Sequence, residues 1–181
     1  LPDIDNLVCI GMVGTRKASE YAIKAAHIMA KGITEAGALV VSGGALGIDT
    51  YSHLGALACG GKTVAVLGNG LGNNYLKANE GLRNMIKQNG ALVTEYQPNV
   101  PANRTSFPMR NRIISGLSLG ILVVEAGVKS GSLITANLAI EQNRDVYAAP
   151  ASIFSSDFSG TNKLISDGAR LAINPVNVVE A

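Results

Sequence analysis

The chain has 181 residues, 47% of them hydrophobic and only 15% charged, with 21 glycines and a formal net charge of +2. That balance excludes a disordered or polybasic tail protein, and the length is enough for one core without disulfide or metal staples. If such a chain binds nucleic acid, it does so through a local patch and not through bulk charge.

Short apolar runs alternate with longer helical patterns. The runs are 8–13, 38–42, 62–67, 91–94, 119–124 and 145–148, and they are apolar nearly throughout, as strands covered on both faces are. Helical patterns fall between them, at about 19–36, 47–58, 78–88, 108–115 and 132–142. A last helix over 160–167 leads into a short strand near 170–172. This order predicts one α/β domain spanning 1–181, an extended Rossmann-like, doubly wound and mainly parallel sheet. Gly37 and Gly90 follow helices, where a left-handed residue is expected. Ser19 and Ser132 stand at helix starts, with Asp49 close to another.

Cys9 and Cys59 have neither disulfide nor metal spacing and read as buried, reduced thiols of an intracellular protein. There is no signal pattern and no apolar stretch of membrane-spanning length, so the cytoplasm is the expected compartment and no membrane contact is expected. The start at Leu1, without Met, suggests a trimmed chain.

Ligands of open parallel sheets bind beyond the carboxyl ends of the strands. Just past those ends stand Gly14-Thr15-Arg16, Ser42-Gly43-Gly44, Gly68-Asn69-Gly70, Glu95 and Glu125-Ala126-Gly127. The segment 127–132, with Lys129, Ser130 and Ser132, is the best anion nest, since it opens a helix whose first N–H groups are unpaired. No dinucleotide fingerprint is present. Gly61-Lys62-Thr63 resembles the end of a phosphate-binding loop but precedes a strand, and residue 56 is Ala, which rules out ATP binding of that type.

The densest chemistry lies in 104–118. Phe107, Arg110 and Arg112 fall within six residues, Arg104 lies just upstream, and no acid occurs between Glu95 and Glu125. An aromatic ring with unopposed guanidinium groups suits a single nucleic-acid strand, holding phosphates and stacking a base. The bland readings stay open: Phe107 as a core anchor beside Pro108, and Arg110 or Arg112 paired with Glu95 or Glu125. Catalytic constellations are thin. Asp49 and His53, four apart on a helix, could touch but read first as a cap and a helix-face histidine. Glu95 and Glu125 read as partners of backbone N–H groups or arginines, without metal-like spacing. No metal or cofactor is expected.

Residues 106–118 resemble the FPxRNRIIsGLS signature of the DNA-processing protein A family, also called DprA or Smf. The likeness continues through Val13-Gly14-Thr15-Arg16, through 42–49 with His53, through 66–71, through 123–126 and 130–136, and through 160–169. It implies an extended Rossmann fold that binds single-stranded DNA, protects incoming strands in natural transformation, loads the RecA recombinase and forms homodimers. Its pocket, carried over residue by residue, comprises Arg16, Gly43, Gly44, Arg104, Phe107, Arg110 and Asn111, with Lys129 and Ser130 as a rim. Leu46 stands where the family usually has Arg, Leu76 where Pro follows Tyr75, and Ala151 where Gly follows Pro150. The N-terminal helical and C-terminal winged-helix domains of many members are expected to be absent. The expected action is non-catalytic. Two rivals remain: a nucleoside-monophosphate phosphoribohydrolase-like enzyme built on Glu125 and Ser130–Ser132, and a pure assembly scaffold.

Overall fold

The computed structural model describes residues 6–180. Seven strands form one sheet: β1 (Cys9–Val13), β2 (Leu39–Ser42), β3 (Thr63–Val66), β4 (Gly90–Val93), β5 (Gly120–Val123), β6 (Asp145–Ala148) and β7 (Arg170–Leu171). Their order is β4-β3-β2-β1-β5-β6-β7, and every pairing is parallel. The expectation of a doubly wound parallel sheet therefore holds, with no antiparallel strand among the described residues. Strands β1, β2, β3 and β5 are buried along their whole length, which is why they read as apolar runs broken only by Ser42 and Thr63.

The helices are α1 (Glu20–Glu35), α2 (Ile48–Ala58), α3 (Glu80–Asn89), α4 (Ser106–Leu117), α5 (Ser132–Glu141), α6 (Ser159–Ser166) and α7 (Val176–Val179). Short 3₁₀ turns, Lys77–Asn79 and Ser156–Phe158, precede α3 and α6. One core layer packs Ala22, Ala26, Met29 and Ile33 of α1 and Ile48 of α2 against Ile10, Met12 and Val40 of the sheet. On the opposite face, Ile114 of α4 and Ala136 and Ala139 of α5 pack against Val13, Val41, Val66, Ile121 and Val123.

Ser19 caps α1 as expected, its Oγ accepting the Ala22 N–H at 3.3 Å, and Gly37 takes the left-handed conformation (φ 90°). Gly90 does not. Its φ is 176°, and it is the first residue of β4. A Cβ there would run into the carbonyl oxygen of Thr63, so the glycine serves close strand approach and not helix termination. Ser132 is likewise the first residue of α5 and not its cap; Ser130 Oγ lies 2.8 Å from Ser132 Oγ. Cys59, the residue that closes α2, is half-buried, whereas Cys9 is buried; both are free thiols. Among the described residues, no helix is long and apolar enough to cross a membrane.

The chain runs from β1 outward to β4, then returns by α4 to place β5 on the other side of β1. The loops after β1 and β5 thus part at the carboxyl edge, where open α/β sheets hold their ligands.

Candidate nucleic-acid interface

A crevice of about 500 Å³ opens at this switch point. Its walls are Gly14, Thr15 and Arg16 after β1, Ala45 and Asp49 after β2, the first turns of α4, and Ser130–Ser132, Ile134 and Thr135 around the start of α5. The size suits a ligand as large as a nucleotide. The parted loops are locked below the opening: Thr15 N donates to Glu125 O at 2.9 Å, and Ile48 N donates to Thr15 O at 3.1 Å.

The wall from α4 is set by a reciprocal cap. Asn103 Oδ1 accepts from the N–H groups of Thr105 (2.9 Å) and Ser106 (2.8 Å), while Ser106 Oγ accepts from Asn103 N at 3.0 Å. The helix therefore starts at Ser106, two residues before the predicted start. Phe107 falls in its first turn, facing the crevice. Pro108 is tolerated there because first-turn N–H groups have no partner inside the helix.

The Phe107 ring is half-buried, neither sealed in the core nor free in solvent. The Arg16 guanidinium lies over it, with Cζ 4.7 Å from the ring centroid. Tyr75 approaches at 5.5 Å between centroids, tilted by 45°. Tyr75 comes from the loop after β3, and the separation in sequence hid this contact. Arg16 and Arg104 are exposed and, among the described residues, form no ion pair.

Arg110 behaves differently. It is buried, and its Nη1 donates to Gly43 O at 2.6 Å and to Val66 O, while Nε donates to Asn111 Oδ1 at 3.2 Å. Burial pushes its pKa down, and the neighbouring Asp49 carboxylate opposes that shift. Asp49 accepts from Ala45 N at 3.2 Å, and burial raises its pKa against the pull of Arg110. The floor of the crevice is thus a buried acid and a buried base, and the exposed positive charge is at the rim.

The crevice gathers Arg16, Arg104, Phe107, Arg110, Asn111 and Ser130. Gly43 and Gly44 line a small adjoining cavity that shares Phe107 and Arg110. A Cβ on Gly43 would lie 2.5 Å from Nη1 of Arg110, and Gly44 is left-handed at φ 66°. Both glycines shape the β2–α2 loop, which Asn79 Nδ2 holds by donating to Gly44 O at 3.1 Å. Lys129 is exposed on the loop before α5, beside the lining residues but not among them.

The remaining acids resolve as follows. Arg112 pairs with Glu95, both about half exposed. Glu125 is buried, its Oε2 accepting from Ser19 N and Ser19 Oγ, each at 2.9 Å, and it does not line the crevice. Asp49 and His53 do not bond each other. His53 Nδ1 is 2.8 Å from Thr63 Oγ1, which donates its own hydrogen to Val40 O at 2.7 Å. The ring nitrogen Nδ1 must therefore carry the proton, which leaves Nε2 as a buried lone pair without a hydrogen-bond partner. Among the described residues, no group of acids, histidines and cysteines could hold a metal ion.

The family model described as DNA recombination-mediator protein A matches residues 2–181. The chain belongs to that family. DNA processing protein DprA of Streptococcus pneumoniae is 42% identical over 170 residues, which cover 94% of this chain and 60% of the relative. The solved structure of that pneumococcal protein superposes with a TM-score of 0.92 at 41% identity, covering 98% of this chain and 62% of the other. A solved structure of DNA processing protein A from Helicobacter pylori, described by its single-stranded DNA binding mode, gives a TM-score of 0.89 at 30% identity, over 98% of this chain and 80% of the other. The chain spans about three fifths of the length of its pneumococcal relative.

Sequence reasoning passed over three contributors to the site. Tyr75 was visible only as the neighbour of Leu76. Asp49 was read as a cap and stands at the crevice floor. Asn103 carried a usable signal, an Asn three residues before a Ser, the spacing of a reciprocal cap.

Proposed function

We propose that the crevice binds single-stranded DNA and holds it without breaking a bond. The observation that carries this is the half-exposed Phe107 ring under the Arg16 guanidinium, at the mouth of a crevice whose rim also bears Arg104. Arginines at the rim take phosphates, and the ring takes a base. The exposed Arg16–Phe107 contact is worth about 0.5–1 kcal/mol. Base stacking on an aromatic ring is worth about 1–3 kcal/mol. An incoming base therefore displaces Arg16, which swings onto a phosphate. Gly43, Gly44 and Arg110 act beneath, by fixing the shape of the floor; Asn111, Ser130 and Lys129 complete the polar rim. A phosphoribohydrolase-like action has less support, because Glu125 is engaged with Ser19 away from the crevice.

Family membership, together with the pneumococcal and Helicobacter relatives, supports the wider role. In that role the protein is a cytoplasmic homodimer that protects incoming strands in natural transformation and helps load the RecA recombinase.

The test is titration of labelled oligo-dT across salt. With about three phosphates neutralised, by Arg16, Arg104 and Lys129, log affinity falls against log salt with a slope near −2. Arg16→Ala and Arg104→Ala each flatten that slope by about 0.7. A wild-type protein that binds no oligonucleotide, or binds without a salt slope, overturns the assignment.

A further inference from the structure

We infer that the turn between β6 and α6 carries a second base-stacking subsite for the same strand, at Ile153 and Phe154. This rests on the crevice being a site for single-stranded DNA. Phe154 is 93% exposed and Ile153 85% exposed, more than any other large apolar side chain among the described residues. They stand at the tip of a turn, a position that ordinarily takes glycine, proline or small polar residues. Nothing in the packing of the fold accounts for them.

The tip is held firmly. Ser155 N donates to Ser152 O at 3.0 Å, closing the turn, and Phe154 N donates to Ser152 Oγ at 3.2 Å. Asn162 bonds both backbone groups of Ala151, accepting from its N–H at 3.3 Å and donating to its carbonyl at 3.2 Å. Beyond the tip, Phe158 is buried, and Gly160 N donates to Ala126 O at 2.7 Å. That bond staples the start of α6, which follows the turn, to the β5–α5 loop, whose far end lines the crevice and carries Lys129. A rigidly displayed pair of apolar side chains is pre-organised for contact.

Position selects the occupant. β5 and β6 are neighbours, so their carboxyl ends lie roughly 5 Å apart. A strand leaving the crevice over Lys129 meets the turn within its next few nucleotides. Size points the same way. A stable protein interface buries about 800 Å² on each partner, far more than two side chains at a turn tip offer. One or two stacked bases need no more than such a tip. Asp157, just past the tip, discourages phosphates there and leaves the tip to bases, with Lys129 taking the intervening phosphate.

The experiment compares labelled oligo-dT of about six and about twenty nucleotides on the wild type, Phe107→Ala and Phe154→Ala. Phe107→Ala is expected to weaken both. Phe154→Ala is expected to weaken the long oligonucleotide about five-fold or more and leave the short one unchanged. The chain contains no tryptophan, so Phe154→Trp supplies a lone reporter, whose emission should be quenched by the long oligonucleotide only. Unchanged affinity of Phe154→Ala together with unmoved emission overturns the second subsite while leaving the crevice intact. Failure of the wild type to bind even the short oligonucleotide sinks the crevice assignment instead. If Phe154→Ala alters the sedimentation of the DNA-free protein, the tip is a contact between copies and the inference is wrong.

Discussion

Arg110 lines the crevice from a buried position, bonded to the protein's own backbone. Motif reading groups it with Arg16 and Arg104 as a phosphate contact, because all three are arginines near an aromatic. The fold separates them by burial: Arg110 spends its Nη1 protons on the carbonyls of Gly43 and Val66 and faces Asp49. Removing it strands two carbonyls and an acid. Arg110→Ala should therefore lower stability by about 2–4 kcal/mol. That corresponds to a fall in Tm of roughly 5–15 °C by calorimetry. Arg16→Ala, an exposed change, should leave Tm within a degree or two while flattening the salt slope. If Arg110→Ala melts like the wild type, its structural reading fails. Sequence cannot tell these arginines apart, since what separates them is contact with residues more than forty positions away in the chain.

At the scale of elements, the sheet was legible and the approach to α4 was not. Strands β1, β2, β3 and β5 announce themselves because burial on both faces leaves only Ser42 and Thr63 as polar positions in them, too few to blur the pattern. The start of α4 was misplaced by two residues because Pro108 looks like a boundary. The true signal, Asn103 with Ser106, is a side-chain exchange that hydrophobic periodicity does not register. Gly90 misled for a similar reason: a glycine after a helix suggests a left-handed cap, but the constraint came from β3. The reciprocal cap aims Phe107, so Asn103→Ala should cost about 1 kcal/mol. It should also speed amide exchange across the first turn of α4 and weaken oligo-dT binding. Unchanged exchange in that turn would remove Asn103 from the account.

At the scale of the molecule, α2 is tied into the sheet by a chain that runs His53 to Thr63 to Val40. Burial, with Arg110 adding to it, lowers the His53 pKa from 6.5 to about 3. The folded protein thus keeps this ring neutral where the unfolded chain would protonate it. Stability from this group is full above pH 6.5 and declines as pH falls toward 3. The decline is at most about 1.4 kcal/mol for each pH unit. Asp49 works in the opposite direction, its raised pKa making its burial less costly as pH falls. Comparing wild type with His53→Asn cancels Asp49. The stability difference between the two should shrink through that window in denaturant titrations, and a difference constant with pH would remove His53 as the cause.

The bonds from Arg110 to the ends of β2 and β3 have a mechanical consequence. They anchor the helix that carries Phe107 to the sheet's own backbone, with no flexible tether between. The Phe107 ring is therefore placed with respect to the sheet edge itself, and not only by the loop that leads into α4.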